Sequence, residues 1–138
     1  MLFRSMAEGV VPEAGLALLR CLDAIEHDAA GASGDERTGL LILKRALETP
    51  TRQIAENSGV DGGVVVDRMI SGTGAYGFDA SRGVYVDLIE AGIIDPTKVV
   101  RAALENAVSV ASVLLLTEAT LTEIPDPKAE PVSTSELA

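Results

Sequence analysis

Few side chains in this sequence could carry a catalyst's chemistry. Cys21 is the only cysteine and His27 the only histidine, so an internal disulfide and a Cys/His metal cluster are both out of reach. The two lie close together on a stretch of helical periodicity, where a thiol and an imidazole would form a nucleophilic pair. The simpler reading is that Cys21, on or near the apolar stripe, is a buried packing residue, and that His27 lacks a partner to orient it. Asp87 and Glu90 are spaced for one face of a short helix. Paired carboxylates do acid–base work, but in a chain this acidic a solvated pair explains them equally well. Gly72-Thr-Gly-Ala-Tyr-Gly77 spells G-x-G-x-x-G. A dinucleotide fingerprint needs a strand before it and a helix after it, so that a helix N-terminus meets the pyrophosphate. Here the order is reversed, and the glycines read as a loop. Ile93-Ile94-Asp95 is more informative. Asp95 before Pro96 is a helix cap on its own account, and with a turn at Asp79-Ala80 its carboxylate can line one side of a small-molecule pocket.

Composition narrows the classes further. The chain has 138 residues, 47% of them apolar and 23% charged, a globular balance that supports one core rather than two. With 11 basic against 21 acidic residues the net charge is −10. DNA, RNA and anionic membrane surfaces would be repelled, since no basic surplus exists to displace counterions. The most apolar window, Ala107 to Leu116, falls well short of the about 20 residues a bilayer span needs. The start of the chain shows no secretory pattern, so a reducing, cytoplasmic setting is expected. Aromatic residues make up 3%, so the core must be aliphatic, which suits helix-on-helix packing.

The elements that must position these residues follow from periodicity and punctuation. Met1 to Glu8 reads as the end of a helix closed by Gly9, without an N-cap before it, which suggests a piece of a longer design. Gly15 to His27 has apolar residues at helical spacing, followed by a small-residue loop from Ala29 to Ser33. Ser33-Gly34-Asp35-Glu36 matches a capping box and opens a helix that Thr49-Pro50 should break and restart. The next helix ends near Gly59, and Asp61 caps another from Gly62 to Ile70. Tyr76–Asp79 and Val84–Val86 flank a four-residue turn and predict a β-hairpin. A short helix from Asp87 to Ala91 precedes Asp95-Pro96, which opens the longest helix, Thr97 to about Glu118. Its second half is apolar on most sides and is expected to run through the centre of the core. Residues 120–124 alternate weakly and predict one strand needing a partner from elsewhere. The Pro-containing segment 125–138 is expected to be a disordered acidic tail.

Several long motifs in order carry a family resemblance. The run GFDASRGVYVDLIEAGIIDPTKVVRAALENAVSVAS, followed by LLTE, resembles the C-terminal part of group I chaperonins, the GroEL family. Upstream, EGVVPEAGLALLR resembles the family's EGVVPGGGxALxR, and RALETPTRQIAENSGVDGGVVVDRM resembles its segment built on P-x-R-Q-I-x-x-N-x-G. The resemblance spans about residues 1–124. It implies part of a mostly α equatorial domain, a helical bundle with a small β-hairpin and a C-terminal strand, which in the family binds ATP and makes ring contacts.

Carried over by that resemblance, the nucleotide-contacting residues are Asp79 and Ala80 at the hairpin turn, Ser81 beside them, Ile93 against the base and Asp95 on the ribose. Asp79 stands where many members have Asn, and a carboxylate accepts but does not donate as an amide does. Glu13-Ala14-Gly15 replaces the family's Gly-Gly-Gly next to the nucleotide; a methyl and a carboxylate there would crowd or repel a phosphorylated ligand if they point inward. The family's Gly-Asp-Gly-Thr-Thr-Thr phosphate segment does not occur in the sequence. The resemblance therefore implies the adenosine side of an ATP site, with Mg2+ held by parts outside this chain, no catalytic residue within it, and no hydrolysis by it alone. That leaves open whether the chain acts as an enzyme of the ATP-hydrolysing, protein-folding isomerase class. The implied partners are other chaperonin subunits in a ring and, through full-length subunits, unfolded proteins. A second reading is a small acidic helical interaction module that has lost nucleotide binding; Glu13 and Ala14 favour it and the retained Asp95 argues against it.

Overall fold

A computed structural model describes residues 8–122. The elements run β1 (Val10–Pro12), α1 (Leu16–Leu19), α2 (Leu22–Gly31), α3 (Gly34–Asn57), α4 (Gly62–Ser71), β2 (Tyr76–Asp79), β3 (Val84–Asp87), β4 (Ile94–Pro96) and α5 (Thr97–Leu115). They fall into two units, one up to Ala103 and one from Leu104.

In the first unit α1 sits at the centre. Leu16 and Leu19, three positions apart on one face, are buried together with Leu22, Leu47, Ala55, Val65, Val66, Met69, Phe78 and Leu88. These residues bring α1 against α3, α4 and β1, α4 against β2, and α2 against α3. The core is aliphatic apart from Phe78, as the composition demands.

The single helix expected over Gly15–His27 is in fact two, α1 and α2, interrupted at Arg20-Cys21. Arg20 is needed elsewhere: its Nε donates to the Gly74 carbonyl at 3.2 Å and its Nη1 to the Met69 carbonyl at 3.1 Å. One guanidinium thus ties the end of α4 to the loop leading into the hairpin. Cys21, expected to be buried, is exposed, because the interruption turns it off the apolar stripe. The helix α2 also runs through Ala29 and Ala30 to Gly31, which shortens the expected loop to Ala32 and Ser33.

Pro50 does not break the next helix. Helix α3 continues through it, although proline removes one intrahelical bond and crowds the preceding turn. Leu47, Thr51 and Ala55, spaced four apart, are all buried and form a stripe that straddles Pro50. A break there would split this stripe, and Pro50 itself is exposed. Ser33 is the N-cap, as its spacing predicts, but its hydroxyl makes no capping bond. Asp61 does cap α4, accepting from the Val64 amide at 3.0 Å.

The predicted hairpin forms as β2–β3, with Phe78 opposite Tyr85 and Asp79 opposite Val84. Tyr85 stacks on Tyr76 with centroids 5.8 Å apart, and the Arg68 guanidinium of α4 lies 4.0 Å from the Tyr85 centroid. Cross-strand rings of this kind fix register. The stretch after β3 is a turn and not a helix. The Asp87 carboxylate accepts from the Ile89 and Glu90 amides, and the chain closes at Gly92.

Asp95-Pro96 is a larger departure from expectation. Instead of capping the long helix, Asp95 lies in β4, which pairs antiparallel with β1: Val10 faces Pro96, Val11 faces Asp95, Pro12 faces Ile94. The helix begins at Thr97, as expected, and the Thr97 amide donates to the Gly9 carbonyl. Arg101 of α5 adds a two-pronged ion pair to Glu8, which holds the Glu8 carboxyl below its usual range mainly through that hydrogen bond.

In the second unit α5 continues to Leu115, three residues short of the expected end. It has no buried residue, so the expected passage through the centre of the core does not occur; Leu115 and Leu116 are 85% and 86% exposed. Residues 120–122 form no strand. Positions 123 and 124 of the expected strand, the tail 125–138 and residues 1–7 of the opening helix lie outside the described residues. No helix among those described is long and apolar enough to cross a membrane.

Candidate functional site

The candidate residues form two groups. Asp79, Ala80 and Ser81 occupy the hairpin tip. The Asp79 Oδ1 accepts from the Ser81 amide at 2.9 Å, the Ser81 hydroxyl at 2.6 Å and the Arg82 amide at 3.2 Å. The side chain is buried, and the Arg82 guanidinium lies 3.7 Å from its other oxygen. Ser81 first, then the two backbone amides and Arg82, hold the Asp79 carboxyl below its ordinary value. Its first task is thus to build the turn that presents Ala80.

The sign of that shift sets a pH dependence. A carboxyl depressed in the folded state stabilises it above the unfolded value, and the contribution is lost as pH falls through the depressed one. Protection of the Ser81 and Arg82 amides from hydrogen exchange is expected to persist at pH 5 and to fail only below the ordinary aspartate range. Asp79→Ala should reduce that protection by about tenfold at neutral pH, the scale of one lost hydrogen bond. Asp79→Asn, which keeps the accepting oxygen, should abolish the pH dependence and retain most of the protection.

Asp95, in β4, and Ile93, just before that strand, form the second group. Both are half-buried. The Asp95 side chain accepts no hydrogen bond among the described residues, leaving a preformed strand with an available carboxylate. The Glu13 amide donates to the Ile93 carbonyl at 3.1 Å, extending the β1–β4 ladder by one step.

Leu88 connects the groups. Its side chain is fully buried, its amide donates to the Ala75 carbonyl at the hairpin base, and its carbonyl accepts from the Ile93 amide at 2.8 Å. A Cβ on Gly77 would stand 2.5 Å from a Leu88 methyl, so the bare glycine is what lets this leucine seat against β2. No hydrogen bond or ion pair joins the two groups directly among the described residues.

Sequence reasoning missed the β1–β4 ribbon, and with it the seat of Glu13, Ala14 and Gly15. These three make a tight turn in which the Leu16 amide donates to the Glu13 carbonyl, with φ 57° at Ala14 and 75° at Gly15. Positive φ at both central positions is the mirror-image type I′ geometry that glycine and asparagine favour. Ala14 adopts it at a cost, held by the buried Thr51 hydroxyl, which donates to the Ala14 carbonyl at 2.9 Å. Ala14 itself is buried and Glu13 exposed, so of the two replacements only the carboxylate reaches the surface.

The remaining chemical candidates stay apart. The Cys21 thiol, in the interruption between α1 and α2, donates to the Ala17 carbonyl of α1. Gly72–Gly77 runs from the end of α4 into β2, so no helix N-terminus follows it. Among the described residues no cluster of three or more His, Cys, Asp or Glu could hold a metal ion. A cleft of about 210 Å³ between α2 and α3, lined by Ile25, Glu26, Ala29, Ala30, Arg37, Leu41 and Lys44, includes none of the candidate residues.

The profile of the TCP-1/cpn60 chaperonin family matches residues 2–125. Chaperonin GroEL 5 of Bradyrhizobium diazoefficiens is 67% identical over 134 residues, 97% of this chain and 25% of that protein. A group III chaperonin in the open state superposes with a TM-score of 0.79 at 29% identity, over 86% of this chain and 25% of that one. An open-state group II chaperonin monomer from Methanococcoides burtonii shares the fold, with a TM-score of 0.73 at 23% identity over 78% of this chain and 28% of its own. The chain spans about a quarter of the length of these relatives. A helical fold with this hairpin, matched along nearly its whole length by the family profile, makes the chain a member of the TCP-1/cpn60 chaperonins, of the group I, GroEL type.

Proposed function

We propose that this chain supplies the nucleoside-facing wall of a chaperonin ATP site and contacts other subunits of a protein-folding assembly. In this reading Ala80 and the turn built by Asp79 and Ser81 meet the adenine, Ile93 packs against the base, and Asp95 accepts from the ribose hydroxyls. The observation that carries it is the Asp95 carboxylate, half-buried on a strand and without a hydrogen-bond donor among the described residues. A diol is a fitting partner for such an acceptor. The phosphates and any Mg2+ would be held outside these residues. Phosphoryl transfer depends on positioning and charge neutralisation around the phosphates, so turnover is not assigned to this chain alone.

Subunit contact is assigned to the apolar side chains of α5, Val110, Val113 and Leu114 among them, which are exposed. Apolar surface of this kind favours association.

Calorimetric titration of the 138-residue chain with adenosine and with ATP, alongside its native mass, tests the reading. Weak adenosine binding, no ATP turnover and a mass above the monomer are expected. Measurable ATP hydrolysis by the monomer would overturn it. The second reading, an interaction module without nucleotide binding, is favoured by the carboxylate at Glu13; it predicts association with no adenosine heat at all.

A further inference from the structure

We propose that the cleft between α2 and α3 receives a short acidic segment of another protein, which seats one branched aliphatic side chain between the helices and a carboxylate on Arg37. The inference is independent of the nucleoside reading. Arg37, Leu41 and Lys44 are spaced for one face of α3, and Ile25 and Ala29 for one face of α2; together they line the cleft. Ala29 is buried and Ile25 half-buried, whereas Leu41 is 48% exposed and its neighbour Ile42 65% exposed. Helix α3 buries no residue before Leu47, so its aliphatic run Leu40 to Leu43 is apolar surface that the fold leaves partly open. The cleft holds about 210 Å³, below the about 300–1,000 Å³ of small-molecule pockets. It has room for a single side chain, which is how an interface pocket takes its anchor residue.

Charge selects the neighbours of that anchor. Lys44 is already paired with Glu26, another lining residue. Arg37 is exposed and has no partner among the described residues. Every other described arginine or lysine has one: carbonyls for Arg20, carboxylates for Arg45, Arg52, Arg82 and Arg101, the Tyr85 ring for Arg68, and the Glu8 charge for Lys98. The acidic residues of the first turn of α3, Asp35 and Glu36, do not line the cleft. In a chain of net charge −10, a free guanidinium beside an open apolar cleft is what lets a carboxylate approach. Its planar fork offers that carboxylate two parallel N–H donors.

The test titrates the full chain with a short capped peptide, one leucine flanked by glutamates, followed by amide NMR shifts. Shifts are expected at Ile25 to Ala30 and at Arg37 to Lys44. Replacing the peptide's leucine by alanine should weaken binding about tenfold, the scale of a buried aliphatic side chain. Replacing its glutamates by glutamine should weaken it about two- to fivefold, the scale of an exposed ion pair, with the difference closing as salt is added. Arg37→Gln should cost the same two- to fivefold and make the chain indifferent to that glutamine exchange. Arg45→Gln removes an equal charge from an exposed position outside the cleft and should leave binding nearly unchanged. Ala30→Leu, which fills the cleft from an exposed position, should abolish binding, with thermal unfolding confirming that the variants fold. Absence of shifts in α2 and α3 overturns the proposal, as does equal affinity for the leucine and alanine peptides. Equal losses in Arg37→Gln and Arg45→Gln would reveal attraction by overall charge and overturn it as well.

Discussion

Gly15→Ala is expected to cost about 2–5 kcal/mol, the combined scale of a left-handed backbone carrying a Cβ and of an overpacked contact. At φ 75° the added Cβ would stand 2.3 Å from the Thr51 Oγ1 and 2.9 Å from the Thr51 amide nitrogen. The hydroxyl cannot step aside without giving up its bond to the Ala14 carbonyl, and the amide belongs to the middle of α3. A domain whose whole stability is about 5–15 kcal/mol loses much of it in one methyl. Denaturant unfolding measures the loss, and Gly74→Ala separates its two parts. Gly74 has φ 59° and no atom within 4 Å of its missing Cβ, so it should show the backbone cost of about 1–2 kcal/mol alone. Equal losses at the two positions would mean that the approach of the turn to α3 is loose.

Leu88→Ala is expected to be as damaging to stability, about 2–5 kcal/mol for a fully enclosed leucine, and more informative about the site. Leu88 is 0% exposed, whereas its neighbour Ile89 is 51% exposed, so Ile89→Ala serves as the surface control with an effect within about 0.5 kcal/mol. The cavity would open between Gly77 of β2 and Leu16 of α1, whose methyl lies 3.4 Å from the position of a Gly77 Cβ. Strand β2 would then lose the side chain seated against Gly77, next to the backbone bond from Ile93 to Leu88. Amide exchange should rise at Ala75 to Phe78 and at Ile93 before it rises in α3, and any adenosine binding should weaken with it. Uniform exchange across the unit would show that Leu88 serves the core and not the geometry between turn and strand.

Much of this architecture can be read without coordinates because its causes are local. Asp61 caps α4 because a carboxylate three residues before a free amide reaches it. The hairpin follows from two β-prone arms around Ala80-Ser-Arg-Gly83, and the loop character of Gly72–Gly77 from what flanks it. The turn at Asp79–Ser81 also belongs here: an aspartate two residues before its donors makes an Asx turn from sequence spacing alone. Spacing alone made Asp95 a helix cap and a candidate for one side of a pocket, and the family motifs added the roles that the resemblance implies for Ile93 and Asp95.

Other features depend on residues distant in sequence. Pro50 stays inside α3 because Leu47, Thr51 and Ala55 gain more from one continuous buried stripe than the chain loses at the proline. Arg20 stands at the interruption between α1 and α2, and its guanidinium reaches the Met69 and Gly74 carbonyls, some fifty positions away. The ribbon of β1 and β4 has three residues a side, with proline in each strand, too short and too interrupted for any periodicity to mark. Its pairing exists only because the rest of the unit brings the two ends together, and it sets the Glu13 backbone against Ile93 while Ala14 is buried. Composition and spacing thus determine which elements form and which residues are chemically equipped, since caps, turns and stripes act within a few positions. Which of those residues become neighbours is left to tertiary packing, because the free energy of burial is indifferent to separation along the chain.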